Sequence, residues 1–176
     1  MLKKIAIIAL SMLPFVAMAQ EPKFGHINAQ EIVLLMPQLK DAQAQLKTLS
    51  EQYEGELVKM NEDGQNKLRE FNSLAKDTDP GIVQTKRTEL EALGQRIELA
   101  KQTFEEQIQK KQESLYAPIL EQVNNAIQEV GKEHGFFYIF NQAVPSILYY
   151  SPKSEDVAPL VRKKLNIPAD AKPAMM

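Results

Sequence analysis

The sequence predicts a mainly α protein: a long antiparallel helical hairpin standing on a small body of short strands and helices. Three observations predict it. Two stretches, Leu39 to Leu74 and Ile82 to Leu115, carry apolar residues at helical spacing. The run Asp77-Thr78-Asp79-Pro80-Gly81 between them is dense in helix breakers. The two stripes also mirror each other. With a turn centred between Thr78 and Asp79, the facing pairs Met60–Ile97, Leu57–Ala100, Tyr53–Phe104 and Leu49–Ile108 each add to 157. A chain that folds back on itself requires such a match. At ~1.5 Å of rise per residue, arms of roughly 38 residues would reach ~57 Å.

In chain order, residues 1–19 read as a signal peptide. Lys3 and Lys4 give a basic start, Ile5 to Leu13 an apolar run, and Ala17-Met18-Ala19 a small-x-small cleavage site, so the mature chain is expected to begin at Gln20. The apolar run is too short to span a membrane comfortably, and no later segment looks transmembrane. Phe24 to Asn28 alternates as a short strand does. Asn28 followed three residues later by Glu31 is a capping box for a helix through Ile32, Leu35 and Met36, which Pro37 interrupts or restarts. The arm occupies residues 38–116, with its tip near 77–81. The body is made of residues 20–37 and 117–167.

Pro118 removes a backbone donor and is expected to bend the second long helix. In the hairpin it stands level with Pro37, which marks the junction of arms and body. The helix continues on Ile119, Val123, Ile127 and Val130 and stops at Gly135. Two β-rich runs follow, Phe136 to Phe140 and Ser146 to Ser151, spaced for a hairpin or a short crossover. Ser154 is placed to cap a last helix with Glu155 and Asp156 in its first turn and Val157, Leu160, Val161 and Leu165 on its apolar face. Residues 168–176 show no periodicity and are expected to be a flexible tail.

Composition excludes several function classes. An exported chain with no cysteine has no disulfide, no thiol catalysis and no thiolate metal site. Removing Lys3 and Lys4 leaves 19 basic and 23 acidic residues, and residues 38–115 hold 12 basic against 15 acidic. That mixed, slightly acidic surface does not suit nucleic acid. His26 and His134 have no second ligand at metal-site spacing, and the carboxylates Glu54, Glu56, Glu105 and Glu106 belong to solvated helix faces. No catalytic residue, metal site or cofactor is assigned. Because about half of the mature chain lies in two arms that bury little, oligomerisation is expected to supplement the core.

The order of these parts resembles a known family. A signal peptide precedes the strand Lys23-Phe24-Gly25-His26-Ile27-Asn28. A long hairpin, the segment Tyr116-Ala117-Pro118-Ile119-Leu120, a helix ending near Lys132-Glu133-His134-Gly135, apolar strands and a last small helix follow. This is similar to the Skp, or OmpH-like, family of periplasmic chaperones, from the mature start to about Leu165. The resemblance implies a homotrimer whose strands build a central β body. Three arms would enclose a cavity that holds unfolded outer-membrane proteins without ATP. The best-studied members are basic, whereas this chain is acidic, so no lipopolysaccharide site is carried over.

The residues that would carry such a function are surface residues. Val58, Phe71, Leu74, Ile82 and Val83 leave the facing pairs or crowd the tip, and are the candidates for contact with a client. Ile27, Phe137, Ile139, Ile147 and Tyr149 are the candidates for oligomerisation. Gly55, Gly64 and Gly94 interrupt the arms at a cost of roughly 1 kcal/mol each against Ala, and are the candidates for arm flexibility. Gly64 and Gly94 are expected to oppose each other. The rival to a holdase is a structural coiled-coil spacer that tethers envelope components.

Overall fold

The computed structural model describes residues 21–144, 147–168 and 170–174. Residues 1–20, which hold the expected signal peptide, and residues 145–146, 169 and 175–176 lie outside them. The elements are β1 (Lys23–Ile27), α1 (Ala29–Leu35), α2 (Pro37–Asn72), α3 (Pro80–Glu133), β2 (Phe136–Asn141), β3 (Glu155–Asp156) and α4 (Ala158–Lys164). At ~1.5 Å per residue, α2 is ~54 Å long and α3 ~81 Å, so α3 runs the length of the arm and continues into the body.

Local chemistry sets the boundaries. The Asn28 side-chain oxygen accepts from the Glu31 N–H at 3.3 Å, and its amide donates to the Glu31 carboxylate at 2.7 Å. This is the expected capping box, closed through the side-chain amide. Pro37 occupies the first turn of α2, where a missing N–H costs nothing. The tip lies earlier than the sequence indicates, at residues 73–79. Asp79-Pro80-Gly81 opens α3 instead of turning the chain, because the Asp79 carboxylate accepts from the N–H groups of Gly81 (2.8 Å) and Ile82 (3.4 Å) while Pro80 sits in the first turn.

The arm register agrees with the mirror pattern. The rings of Tyr53 and Phe104 stack with centroids 4.2 Å apart and planes within 3°. Near the tip, Lys86 reaches across to Glu70 at 3.5 Å. Leu93 is buried in the arm, and Leu57, Met60, Ile97 and Ile108 are half-buried along the seam. Apolar positions spaced three and four apart line both helices, as in a two-stranded coil.

The body is a three-stranded sheet in the order β2-β1-β3, with both pairings parallel. Helices cover one face. Ile27, Ile32, Met36, Leu39, Ile119, Val123, Val130, Val157 and Val161 form its core. Gly25 faces inward where a side chain has no room: a β-carbon there would stand 2.9 Å from Val157 and 3.1 Å from Phe136. Gly135 turns the chain from α3 into β2 with φ +67, a left-handed conformation that favours glycine.

Three expectations change in the body. Residues 147–151 form no strand. The third strand is the short Glu155–Asp156 pair, held beside β1 by the Val157 N–H to the His26 carbonyl (3.0 Å) and by the Lys23–Glu155 ion pair (2.7 Å). Ser154 does not cap the last helix. Its hydroxyl lies 2.8 Å from His26 Nδ1, and Asp156 instead accepts from the Ala158 N–H at 2.9 Å. Residues 170–174 are packed on the body, with Ala174 buried and its N–H donating to the Leu34 carbonyl at 2.8 Å.

Lys164 joins α4 to α3, with Glu133 at 2.5 Å and Glu129 at 2.9 Å. The hydrogen bond to Glu133, with that to Glu129, holds the ammonium above the usual lysine range. The hydrogen bond from Lys164 holds the Glu133 carboxyl below the usual carboxylate range. A carboxyl lowered by folding stabilises above its unfolded pKa and loses that contribution as pH falls through the folded value. An ammonium raised by folding stabilises below its unfolded pKa and loses it as pH rises. The contact is therefore whole between ~4.3 and ~10.4, the unfolded values of the two groups. Lys164→Gln should lower the thermal midpoint at neutral pH. Melting curves taken at successively lower pH should show the difference from the parent closing as Glu133 is protonated.

Candidate functional site

The uncovered face of the sheet is aromatic, and the backbone explains why. Lys23 pairs with Phe136 and Phe24 with Tyr138, so Phe137 is an extra residue, a bulge in β2. The bulge turns Phe137 and Tyr138 both outward, and Phe140 follows on the same side. Phe136 and Ile139 point inward. Phe24 joins from β1, parallel to Tyr138 at 6.4 Å and edge-on to Phe137 at 6.3 Å. Phe137 and Tyr138 meet edge-to-face at 5.0 Å. Phe137 remains 66% exposed, although aromatic side chains are normally the largest contributors to a core.

Beside this face opens a cleft of about 1150 Å³, lined among others by Phe24, Phe140, Ile147, Leu148, Tyr149 and Tyr150. Tyr149 is 80% exposed. The segment is pinned to the sheet at its far end: the Tyr150 ring lies 4.4 Å from that of His26, whose Nδ1 holds Ser154. The His26–Ser154 pair therefore fastens a loop.

The candidate interface residues divide on this geometry. Phe137 and Tyr149 face solvent, and Ile147 is half-buried in the cleft. Ile27 is 1% exposed and belongs to the protomer's own core, so it has no surface to offer a second chain. Ile139 packs inward, against the position of Gly131, where a β-carbon would be 3.4 Å from its Cδ1. Strand alternation alone could not separate Ile139 from its neighbours, because the bulge at Phe137 resets the alternation. Tyr138, Phe140 and Leu148 are further exposed members of the patch; they lie in the apolar runs Phe136 to Phe140 and Ile147 to Tyr150 but were not among the named candidates.

On the arm, Val58 and Ile82 are about half exposed, and Phe71, Leu74 and Val83 are half-buried around the tip. Leu68 and Leu99 are exposed as well and were not foreseen. Their signal was an apolar residue one step off the seam. Gly64 and Gly94 do not oppose each other. A β-carbon at Gly64 would meet Leu93 at 3.7 Å and Ile97 at 3.8 Å, whereas one at Gly94 or Gly55 would meet nothing within 4 Å. Leu93 occupies the seam, and one further residue turns Gly94 about 100° away from it.

Among the described residues, no group of three or more His, Asp or Glu side chains is arranged to hold a metal ion, and no helix is long and apolar enough to cross a membrane. The arrangement offers contact surface: an aromatic sheet face and scattered apolar residues along a charged arm.

Comparison with known proteins places this geometry. Residues 23–165 match the family model of the OmpH-like outer membrane proteins. A solved structure of a candidate outer membrane chaperone (OmpH-like) from Caulobacter crescentus CB15 superposes with a TM-score of 0.69. It is 16% identical, and the match covers 82% of this chain and 84% of that one. No curated protein matches the chain.

Two outcomes follow from these placements. Phe137→Asp or Tyr138→Asp should leave the protomer folded and reduce the mass of any assembly. Ile139→Asp should unfold the body, because it buries an unpaired charge. Native mass and circular dichroism distinguish the two. In the arm, Gly64→Ala and Gly94→Ala should each stabilise the helix by up to ~1 kcal/mol, since both methyl groups fit. Arm melting followed by circular dichroism checks the sign.

Proposed function

The chain belongs to the OmpH-like family of outer membrane proteins, and on that premise we propose that it is an ATP-independent periplasmic holdase. In this reading it is exported by a signal peptide cleaved after Ala19. It assembles as a homotrimer and holds unfolded outer-membrane proteins between its arms, which keeps them from aggregating.

The observation that carries the reading is the arm surface. Val58, Leu68, Ile82 and Leu99 stand in solvent, separated by charged and amide side chains, along helices tens of ångströms long. Half-burying one such side chain against a client is worth ~1 kcal/mol, too little to bind alone. Many such contacts on arms tethered to one body act at high effective concentration and add up. Phe71, Leu74 and Val83 would extend the surface at the tip. Weak, dispersed contacts suit a client without fixed shape, and neither binding nor release then requires a reaction.

The body supports assembly. A parallel sheet is ordinarily covered on both faces, and here Phe24, Phe137, Tyr138 and Phe140 are only partly covered within the protomer. A homotrimer would supply it and would place three arms around one cavity. A structural spacer needs no exposed apolar residues along its shaft.

The test is to dilute an unfolded β-barrel outer-membrane protein from urea into buffer with and without this protein, and to follow light scattering. Suppression without nucleotide is expected. A Leu68→Asp/Leu99→Asp variant should protect less while its arm melts as the parent does. If the parent fails to suppress scattering, the holdase reading is wrong and the spacer reading stands.

A further inference from the structure

Residues 166–174 lie beyond the family match, which ends at residue 165, yet Ile167, Ala171 and Ala174 are packed into the body near the point where the arm begins. That point is weak in both arm helices. α1 ends at Leu35 and α2 starts at Pro37, with Met36 between them in an extended conformation (φ −67, ψ 126). α3 passes the same level unbroken, but Pro118 lacks the N–H that would pair with the Ser114 carbonyl. Gln38 and Gln122 face each other across this root at 3.5 Å.

The C-terminal segment reaches α1 close to this point. Asn166 (φ 54) turns the chain out of α4. The Ile167 N–H then donates to the Arg162 carbonyl (2.9 Å), and the Arg162 guanidinium donates to the Pro168 carbonyl (2.8 Å). Ile167 is buried, and Ala171 packs against the core. At the end, the Ala174 N–H meets the Leu34 carbonyl, one of the last-turn carbonyls of α1 that have no partner within the helix. One end of the segment is thus tied to α4 through Arg162, and α4 is tied in turn to α3 by the Lys164 contacts with Glu129 and Glu133. The other end is tied to α1 two residues before the break.

We propose that residues 167, 168 and 170–174 are a strap that joins α1, by way of α4, to α3 and limits how far the two arm helices splay at their root. Beyond Ile167, its described hydrophobic contacts with the core come from the small side chains of Ala171 and Ala174, and its directed bonds to the body are those of Pro168 with Arg162 and of Ala174 with Leu34. These add little hydrophobic energy and instead fix the position of α1. A free strap would leave the α1–α2 break as a hinge, and the hairpin would open more readily from its base.

Ala174→Asp tests this in the otherwise intact protein, because a carboxylate cannot remain in a site that is 6% exposed. Ala174→Gly keeps the N–H and serves as the control. Amide exchange is read at Met36 and Leu39, whose N–H groups bond to Val33 and Met36 across the break, and at Val123 and Val130 in the core. Spin labels at the exposed, level positions Asn61 and Arg96 report the separation of the arm helices. With Ala174→Asp, exchange at Met36 and Leu39 should rise by about fivefold, the equivalent of one hydrogen bond. Protection at Val123 and Val130 should hold, and the label distances should broaden. With Ala174→Gly, all three should stay near the parent. Exchange that rises equally at Val123 and Val130 would make the segment general packing, and unchanged exchange and distances would remove the strap altogether.

Discussion

The parallel pairing of β1 and β2 is the constraint on which the rest of the structure depends. Parallel neighbours cannot be joined by a tight turn; their connection must travel back along the sheet before the second strand begins. Here that connection is residues 28–135, which hold α1, the whole arm and the body half of α3. The arm is therefore an extended crossover, and both its ends are returned to one place by the strands. Closing a free loop of that length costs on the order of 4 kcal/mol. The cost falls once the hairpin has formed, because the hairpin itself brings Gln38 and Gln122 together. Burial of Ile27, Val123 and Val130, at roughly 1.5–3 kcal/mol each, exceeds what remains.

The same pairing leaves the sheet one-sided. Helices α1, α3 and α4 occupy the inner face, and the Gly25 position lets β1 approach Val157 and Phe136 closely. On the outer face, the bulge at Phe137 gathers more aromatic surface than regular alternation would. Energetics and geometry point the same way: the residues with the most to gain from burial are those the protomer does not bury. The arm shows the reverse economy. Its seam is satisfied by the hairpin, its charges are solvated, and its unspent apolar side chains are few and dispersed. The body thus leaves aromatic surface exposed, and the arm leaves single apolar side chains exposed among its charges.

The arm was legible from the sequence because its signals are local and repeat. Apolar residues three and four apart specify a helix face. Two such faces with a constant sum of positions specify how they meet, and Tyr53 lies on Phe104 as that sum requires. The Asn28–Glu31 cap was legible for the same reason, since its partners are three residues apart. The tip was misplaced because Asp-Pro-Gly can end one helix or begin the next, and only the bonds that the Asp79 carboxylate makes decide between them.

By itself, then, the sequence determined the hairpin, its register, its mixed-charge surface and the β-rich character of the body, all of which follow from patterns within a few turns of chain. Only the tertiary structure decided the strand order, the bulge at Phe137, the inward turn of Ile27 and Ile139, the separation of Gly64 from Gly94, the pairing of Ser154 with His26 and the docking of Ala174 on Leu34. Each depends on groups brought together from distant parts of the chain. A one-residue bulge reverses every later side chain in a strand, and a single step around a helix moves a glycine from seam to solvent. Those differences are set by what packs against the element, which no local pattern records.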